Sequence, residues 1–199
     1  MNFIVIQIFL VVIAYLLGSI NSAIIVSYAM NLPDPRTSGS GNPGATNVLR
    51  TGNKIAAAIT LLGDLLKGLI PVFATNYLIG NEPIIAMVGL AALLGHMFPI
   101  YYRFQGGKGV ATTLGVLMGV DWMLGLIWVA FWLSTALLFR YSSLAALVAT
   151  TFILILSWYW SFSFWIVGML AIITALIFWR HSCNIKNLII GNEGKLGKK

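Results

Sequence analysis

Charge is scarce in this sequence, and negative charge scarcest of all. Only 9% of the 199 residues are Asp, Glu, Lys or Arg, and 5 residues are acidic. A soluble domain carries roughly a quarter charged residues, so a water-facing globular surface is excluded. The acids are also scattered, so no clustered carboxylate set is available for Mg²⁺, and a two-metal phosphotransferase is not expected. Cys183 stands alone, which leaves no disulfide and no thiolate zinc site. Its simplest reading is a small apolar residue facing a reducing cytoplasm. No haem ligand set is visible, and no cofactor is expected. The GxxxxGK[ST] nucleotide loop is missing too, so ATP binding is not implied.

What the chain has instead is apolar length. Hydrophobic residues make up 59% of it, and the mean hydropathy is +0.93. Apolar runs fall at about 3–30, 55–79, 84–101, 109–120, 123–139, 142–157 and 163–179. The expected fold is therefore an all-α polytopic membrane protein of about seven transmembrane helices. The fourth and sixth runs are short against the roughly 20 residues of a straight crossing. Read as half-helices or steeply packed inner helices, they leave five or six spans as the alternative. The first run has no basic residue before Phe3, is too long for a signal-peptide core and lacks a suitable cleavage site, so it reads as the first span. No repeat and no low-complexity linker interrupts the chain, which predicts a single membrane-integral domain over 1–199.

The positive charges set an orientation. Arg36, Arg50, Lys54, Arg103, Lys108, Arg140, Arg180, Lys186, Lys195, Lys198 and Lys199 lie in the first, third and fifth connections and the tail. The second and fourth connections carry only Glu82 and Asp121, and the sixth is uncharged. The positive-inside rule then predicts the N-terminus outside and the C-terminus in the cytoplasm. Trp158, Trp160 and Trp165 fall where an outer aromatic belt is expected. Basic residues beside spans are explained by topology and anionic membrane lipid, so no nucleic-acid partner is expected.

Three donor-rich segments fall on that one face. In the first, Arg36-Thr-Ser-Gly-Ser-Gly-Asn-Pro-Gly-Ala-Thr-Asn-Val-Leu-Arg50, the residues Ser38, Ser40, Asn42, Thr46 and Asn47 offer hydroxyls and amides. Arg36 and Arg50 frame it with planar cationic forks suited to phosphate oxygens. A plain Ser/Gly/Asn/Pro turn is the competing reading, weakened by the segment's length and by Asp34 being its only neighbouring acid. In the second, Gly106-Gly107-Lys108-Gly109 opens an apolar helix, where free N–H groups, the helix dipole and an ammonium favour an anion. Taken alone, a flexible turn with a topology-setting Lys accounts for it equally well. In the third, His181 and Asn184 share a face if the last helix extends one turn. An interfacial His there is a proton carrier, a phosphate donor or simply an anchor.

Other polar residues read as structural. His96 ends the third run, and a hydrogen bond to backbone is favoured over direct catalysis. Asp64 and Lys67, at i and i+3 inside the second run, are expected to face the bundle interior as a lock. Glu193, in the solvated tail, reads as a brace for the loops.

Together the motifs RTSGSGNPGATNVLR, GHMFPIYYRFQGGKGVAT and HSCNIKNLIIGNE resemble the bacterial acyl-phosphate:glycerol-3-phosphate acyltransferases of the inner membrane, in order and over essentially the whole chain. One departure is Gln105, where the family often has Lys; losing that charge predicts weaker acyl-phosphate affinity. The resemblance implies transfer of a fatty acyl group from acyl phosphate to the sn-1 hydroxyl of glycerol 3-phosphate, giving lysophosphatidic acid and phosphate. It implies catalytic positions at Ser40, Arg50, Lys108, His181 and Asn184. Arg36, Asn42, Asn47, Gly106, Gly107 and Gly109 are the expected substrate-binding set, with the glycines shaping the acyl-phosphate loop. Glycerol 3-phosphate, acyl phosphate and membrane lipid are the expected partners, together with the soluble enzyme that makes acyl phosphate.

The chemistry agrees with that implication. Two phosphate-bearing substrates call for cations and N–H donors rather than carboxylates. The His–Asp pair of soluble and peripheral glycerophosphate acyltransferases is absent, since Tyr101 and Lys186 stand where its Asp would follow His96 and His181. Catalysis by positioning and charge neutralisation is therefore expected. A transporter of a phosphorylated metabolite would use the same loops, but it needs a polar route to the other face that this sequence does not supply. A lipid-binding scaffold has no use for glycine-rich turns beside Ser, Lys and His.

Overall fold

The computed structural model describes residues 3–197, all of whose regular elements are helical; Lys198 and Lys199 lie outside them. The helices are α1 (Phe3–Gly18), α2 (Ser22–Ala29), α3 (Ala45–Arg50), α4 (Lys54–Ile79), α5 (Glu82–Met97), α6 (Val110–Val120), α7 (Trp122–Phe139), α8 (Ser142–Tyr159), α9 (Phe164–Arg180) and α10 (Ser182–Ile189). A 3₁₀ turn at Ile100–Tyr102 follows α5. An apolar core runs through them, from Ala14 and Val72 through Leu93, Leu117 and Ile153 to Ile173 and Ile177, with polar residues such as Asp64, Lys67 and His96 buried beside it.

The all-helical membrane architecture is as the sequence predicts, but the spans are less uniform. Four helices are long and apolar enough to cross a bilayer by themselves, and up to six if each of two bent pairs forms one span. The first run, expected as one helix over 3–30, bends by 41° between α1 and α2. Its break is built from polar groups: Ser19 Oγ donates to Tyr15 O at 2.8 Å, and Asn21 caps α2 by accepting from Ile24 N at 3.2 Å. The freed Ile20 carbonyl takes a 2.7 Å bond from the buried Lys67 ammonium.

The other departure is α6, an 11-residue helix where a span was expected. It packs along α4 at close range, because Gly68 faces the Thr112 carbonyl and Gly115 faces that of Leu65, with no room for a Cβ at either. Thr112 Oγ1 donates to Asp64 O at 2.9 Å, and Asn76 Nδ2, near the far end of α4, donates to Val120 O at 2.9 Å. So α6 starts ten residues along α4 and finishes level with its far end. The segment ahead of it, Gln105–Gly109, has entered the bundle as non-helical chain. Such backbone is tolerated at depth only where protein or a cavity surrounds it, and both do here.

Candidate functional site

The three donor-rich segments meet at one end of the bundle, around a single cavity of about 530 Å³. Its mouth is polar: Ser40, Asn42, Asn47, Arg50, Lys108, Ser143, His181, Asn184 and Glu193 line it. Apolar side chains wall the rest, Leu61 of α4, Leu114 of α6, and Trp128, Val129, Trp132 and Leu133 of α7, and the buried Asp64 and His96 also reach the lining.

The polar end is organised by hydrogen bonds the sequence does not announce. Lys108 Nζ donates to Asn184 Oδ1 at 2.6 Å, and Asn184 Nδ2 donates to Glu193 Oε1 at 2.7 Å. Ser143 Oγ donates to the same carboxylate oxygen at 2.6 Å. Glu193 is thus the brace it was read as, holding α8, α10 and the diglycine loop together. Partial burial pushes the Lys108 ammonium below the usual lysine range, so an anion at this mouth would restore its favoured charge. Arg50 is exposed at the rim, and among the described residues its guanidinium makes no hydrogen bond, so its fork faces the opening unspent.

His181 and Asn184 do reach the same cavity, but not by extension of the last helix. The chain bends by 61° between α9 and α10, with the buried His181 at the junction. His181 Nδ1 lies 2.8 Å from Ile177 O. A carbonyl accepts only, so Nδ1 carries the proton and the other ring nitrogen, Nε2, is left as an acceptor in the neutral ring.

Other expected members of the site stand elsewhere or do different work. Arg36 is not brought to the cavity; its guanidinium is held by Asp34 at 2.6 Å, and that partner keeps the Asp34 carboxyl below the usual carboxylate range. Asn47 borders the cavity, yet its amide is fully committed. Its Oδ1 accepts from Ser40 N at 2.9 Å, and its Nδ2 donates to Pro35 O at 2.8 Å and Ser38 O at 2.9 Å. It shapes the first loop rather than offering a donor. Gly109 lines the cavity at φ 86°, a left-handed conformation that favours glycine.

Gly106 and Gly107 lie just behind that wall. The Gly107 N–H, expected to be free for an anion, donates instead to His96 O at 3.1 Å. Both carbonyls are taken by Arg180, whose Nε donates to Gly107 O at 3.1 Å and whose guanidinium NH2 group donates to Gly106 O at 2.6 Å. Arg180 was read from the sequence only as a topology charge. Its sole signal was position, directly before the His181 motif. A Cβ on Gly107 would run into His96 Nε2 and sit 3.1 Å from Pro43 O, between the first and second loops. Gly107→Val is therefore expected to lower activity at least tenfold by displacing Lys108, read as kcat/KM on purified enzyme. Unchanged kinetics would make the loop a mere turn.

His96 also departs from expectation. Among the described residues its ring makes no bond to backbone: Nδ1 has no hydrogen-bond partner there and lies 3.7 Å from Asp64 Oδ1. Asp64 and Lys67 are buried as expected, with Lys67 Nζ 2.8 Å from Asp64 Oδ1.

Comparison with known proteins agrees with this geometry. Residues 8–191 match the family described as Glycerol-3-phosphate acyltransferase. Among curated relatives, the Glycerol-3-phosphate acyltransferase of Francisella tularensis subsp. mediasiatica (strain FSC147) is 54% identical over 190 residues, 96% of this chain and 93% of the relative. That of Thioalkalivibrio sulfidiphilus (strain HL-EbGR7) is 54% identical over 187 residues, 94% of this chain and 92% of its own. Two crystal structures of PlsY (YgiH), an integral membrane glycerol 3-phosphate acyltransferase, are similar throughout. The glycerol 3-phosphate form superposes with a TM-score of 0.93 at 38% identity, over 96% of both chains. The lysophosphatidic acid form gives 0.90 at 38% identity, over 96% of this chain and 95% of that one. This integral membrane chain belongs to the glycerol-3-phosphate acyltransferase family.

Proposed function

We propose that the protein transfers a fatty acyl group from an acyl phosphate to the sn-1 hydroxyl of glycerol 3-phosphate, giving lysophosphatidic acid and inorganic phosphate. The observation that carries this reading is the two-sided cavity, cationic and amide-rich at the bundle end and largely apolar beyond it. An amphiphilic donor fits it head-up, with its phosphate among Lys108, Asn184 and the start of α6, and its chain against Leu61, Leu114 and Trp128. Glycerol 3-phosphate, the ligand of one PlsY structure, fits the rim under Arg50 and Ser40. The positive-inside pattern supports a mouth open to the cytoplasm, in a bacterial inner membrane, with the whole chain acting as one domain. A soluble acyl-phosphate synthase would deliver the donor to that face.

In the step proposed, the glycerol hydroxyl oxygen attacks the acyl carbonyl carbon. The bond from that carbon to the phosphate oxygen breaks, and the hydroxyl proton leaves with the departing phosphate. Arg50, Ser40 and Lys108 neutralise and hold the phosphates, while His181 Nε2 and Asn184 orient the glycerol hydroxyl. Phosphate is already a good leaving group, so alignment and charge neutralisation carry the rate.

The test supplies purified protein in lipid with glycerol 3-phosphate and either palmitoyl phosphate or palmitoyl-CoA. Equal amounts of phosphate and lysophosphatidic acid, from palmitoyl phosphate alone, support the proposal. Product from palmitoyl-CoA alone would overturn the donor assignment. Arg50→Ala is expected to raise a phosphate-substrate KM by roughly 10- to 150-fold, the 1.5–3 kcal/mol of a charged hydrogen bond. Unchanged KM values for both substrates would remove Arg50 from the clamp.

A further inference from the structure

In the cavity wall lies a buried polar cluster that the reaction above does not use, with Asp64 and His96 in the lining and Lys67 beside them. His96 is 4% exposed, Asp64 2% and Lys67 8%, all within the membrane bundle. Burying such groups is expensive unless each has a partner. Lys67 has two, the Asp64 carboxylate at 2.8 Å and the Ile20 carbonyl at 2.7 Å, which ties α4 to the α1–α2 break. The partners of His96 are less conventional. One edge of its ring faces the Asp64 carboxylate at 3.7 Å, while Nε2 abuts the Cα of Gly107 on the other side. Its own carbonyl receives the Gly107 N–H at 3.1 Å. A single residue thus touches the buried ion pair with one ring edge and the diglycine loop with both ring and backbone. The next residue along that loop is Lys108.

We propose that His96 is a positioning residue for acyl transfer: it sets the depth of the Gly106–Gly107 turn, and so of the Lys108 ammonium, from the buried Asp64–Lys67 pair. The turn is also held by Arg180, which donates to both glycine carbonyls. Between His96 and Arg180, three backbone groups of the non-helical segment are held by hydrogen bonds. An apolar residue of equal size would fill the space, but it would leave the carboxylate side of the ring position without a polar neighbour. The inference rests on the reading that Lys108 holds the acyl-phosphate head.

The experiment is a double-mutant cycle in lipid nanodiscs with His96→Ala, Lys108→Ala and the double variant, using palmitoyl phosphate and glycerol 3-phosphate. His96→Ala alone is expected to raise the palmitoyl phosphate KM at least tenfold, with the glycerol 3-phosphate KM within twofold. In the Lys108→Ala background the same change is expected to add less than threefold. An equal His96 effect in both backgrounds, or a parallel rise of both KM values, would overturn the proposal and leave His96 as core packing. If His96→Ala does not fold, His96→Gln, which keeps a polar tip near Nε2, takes its place with the same criteria at a threefold threshold. A wild-type protein inactive on palmitoyl phosphate would refute the donor reading. An active wild type with an unaffected His96 variant would refute this inference alone.

Discussion

Replacing Asp64 with Ala is expected to destabilise the protein by about 3–5 kcal/mol, the cost of leaving a buried partner charge unpaired. The orphan would be Lys67, 8% exposed and left with only the Ile20 carbonyl to solvate it. The loss should appear as a lower Tm in tryptophan-fluorescence melts of detergent-solubilised protein. Replacing both residues together, Asp64→Leu with Lys67→Met, should recover much of it, because the double change removes both desolvation penalties. If Asp64→Ala melts like the parent, the pair contributes no structural lock and the bend after α1 must be held by other contacts. Ser19 and Asn21, which satisfy backbone groups at that bend, would then be the remaining supports.

Lys108→Ala is expected to lower kcat/KM on acyl phosphate by roughly 10- to 150-fold, equivalent to 1.5–3 kcal/mol for a charged hydrogen bond. Stability should move the other way or stay level. Burial lowers the folded pKa of Lys108 below its unfolded value. Such a lysine carries its full penalty at low pH, where both states are protonated, and the penalty is relieved only as pH rises through the folded value. At neutral pH the Ala variant is therefore relieved of a desolvation cost while it loses the 2.6 Å bond to Asn184. A falling activity with a steady or higher Tm marks a residue kept for function at the expense of the fold. A matching fall in both would make Lys108 a structural tie between the loop and α10.

Much of the candidate site was legible because donors and cations suited to phosphate leave a compositional trace. Ser40, Asn42, Arg50, Lys108, His181 and Asn184 were readable as donors, and the folded chain brings all of them to one cavity. Arg36 looked equivalent to Arg50 on the same grounds. Only folding shows that Asp34, two residues back, occupies its guanidinium. Asn47 was similarly indistinguishable from Asn42 until its amide was found bonded to three backbone groups. Arg180, and the contact of His96 with the diglycine loop, escaped for a different reason. Arg180 bonds to the backbone carbonyls of Gly106 and Gly107, the His96 carbonyl accepts the Gly107 N–H, and contacts to backbone leave no mark in side-chain chemistry.

The sequence by itself determined that this chain lives in a membrane, that it is helical, and that its donors fall in three segments between apolar runs. Those properties follow from composition and period, because lipid demands internally bonded backbone and apolar side chains wherever chain meets hydrocarbon. Tertiary structure decided how each run crosses and what each donor is free to do. The bends after α1 and α9, the 11-residue α6 and the buried entry of the Gly106–Gly107 segment all depend on contacts between residues distant in sequence. Lys67 reaching Ile20, Asn76 reaching Val120 and Arg180 reaching Gly106 are such contacts. No local pattern encodes them, because each is chosen by which polar group would otherwise be stranded in the bilayer.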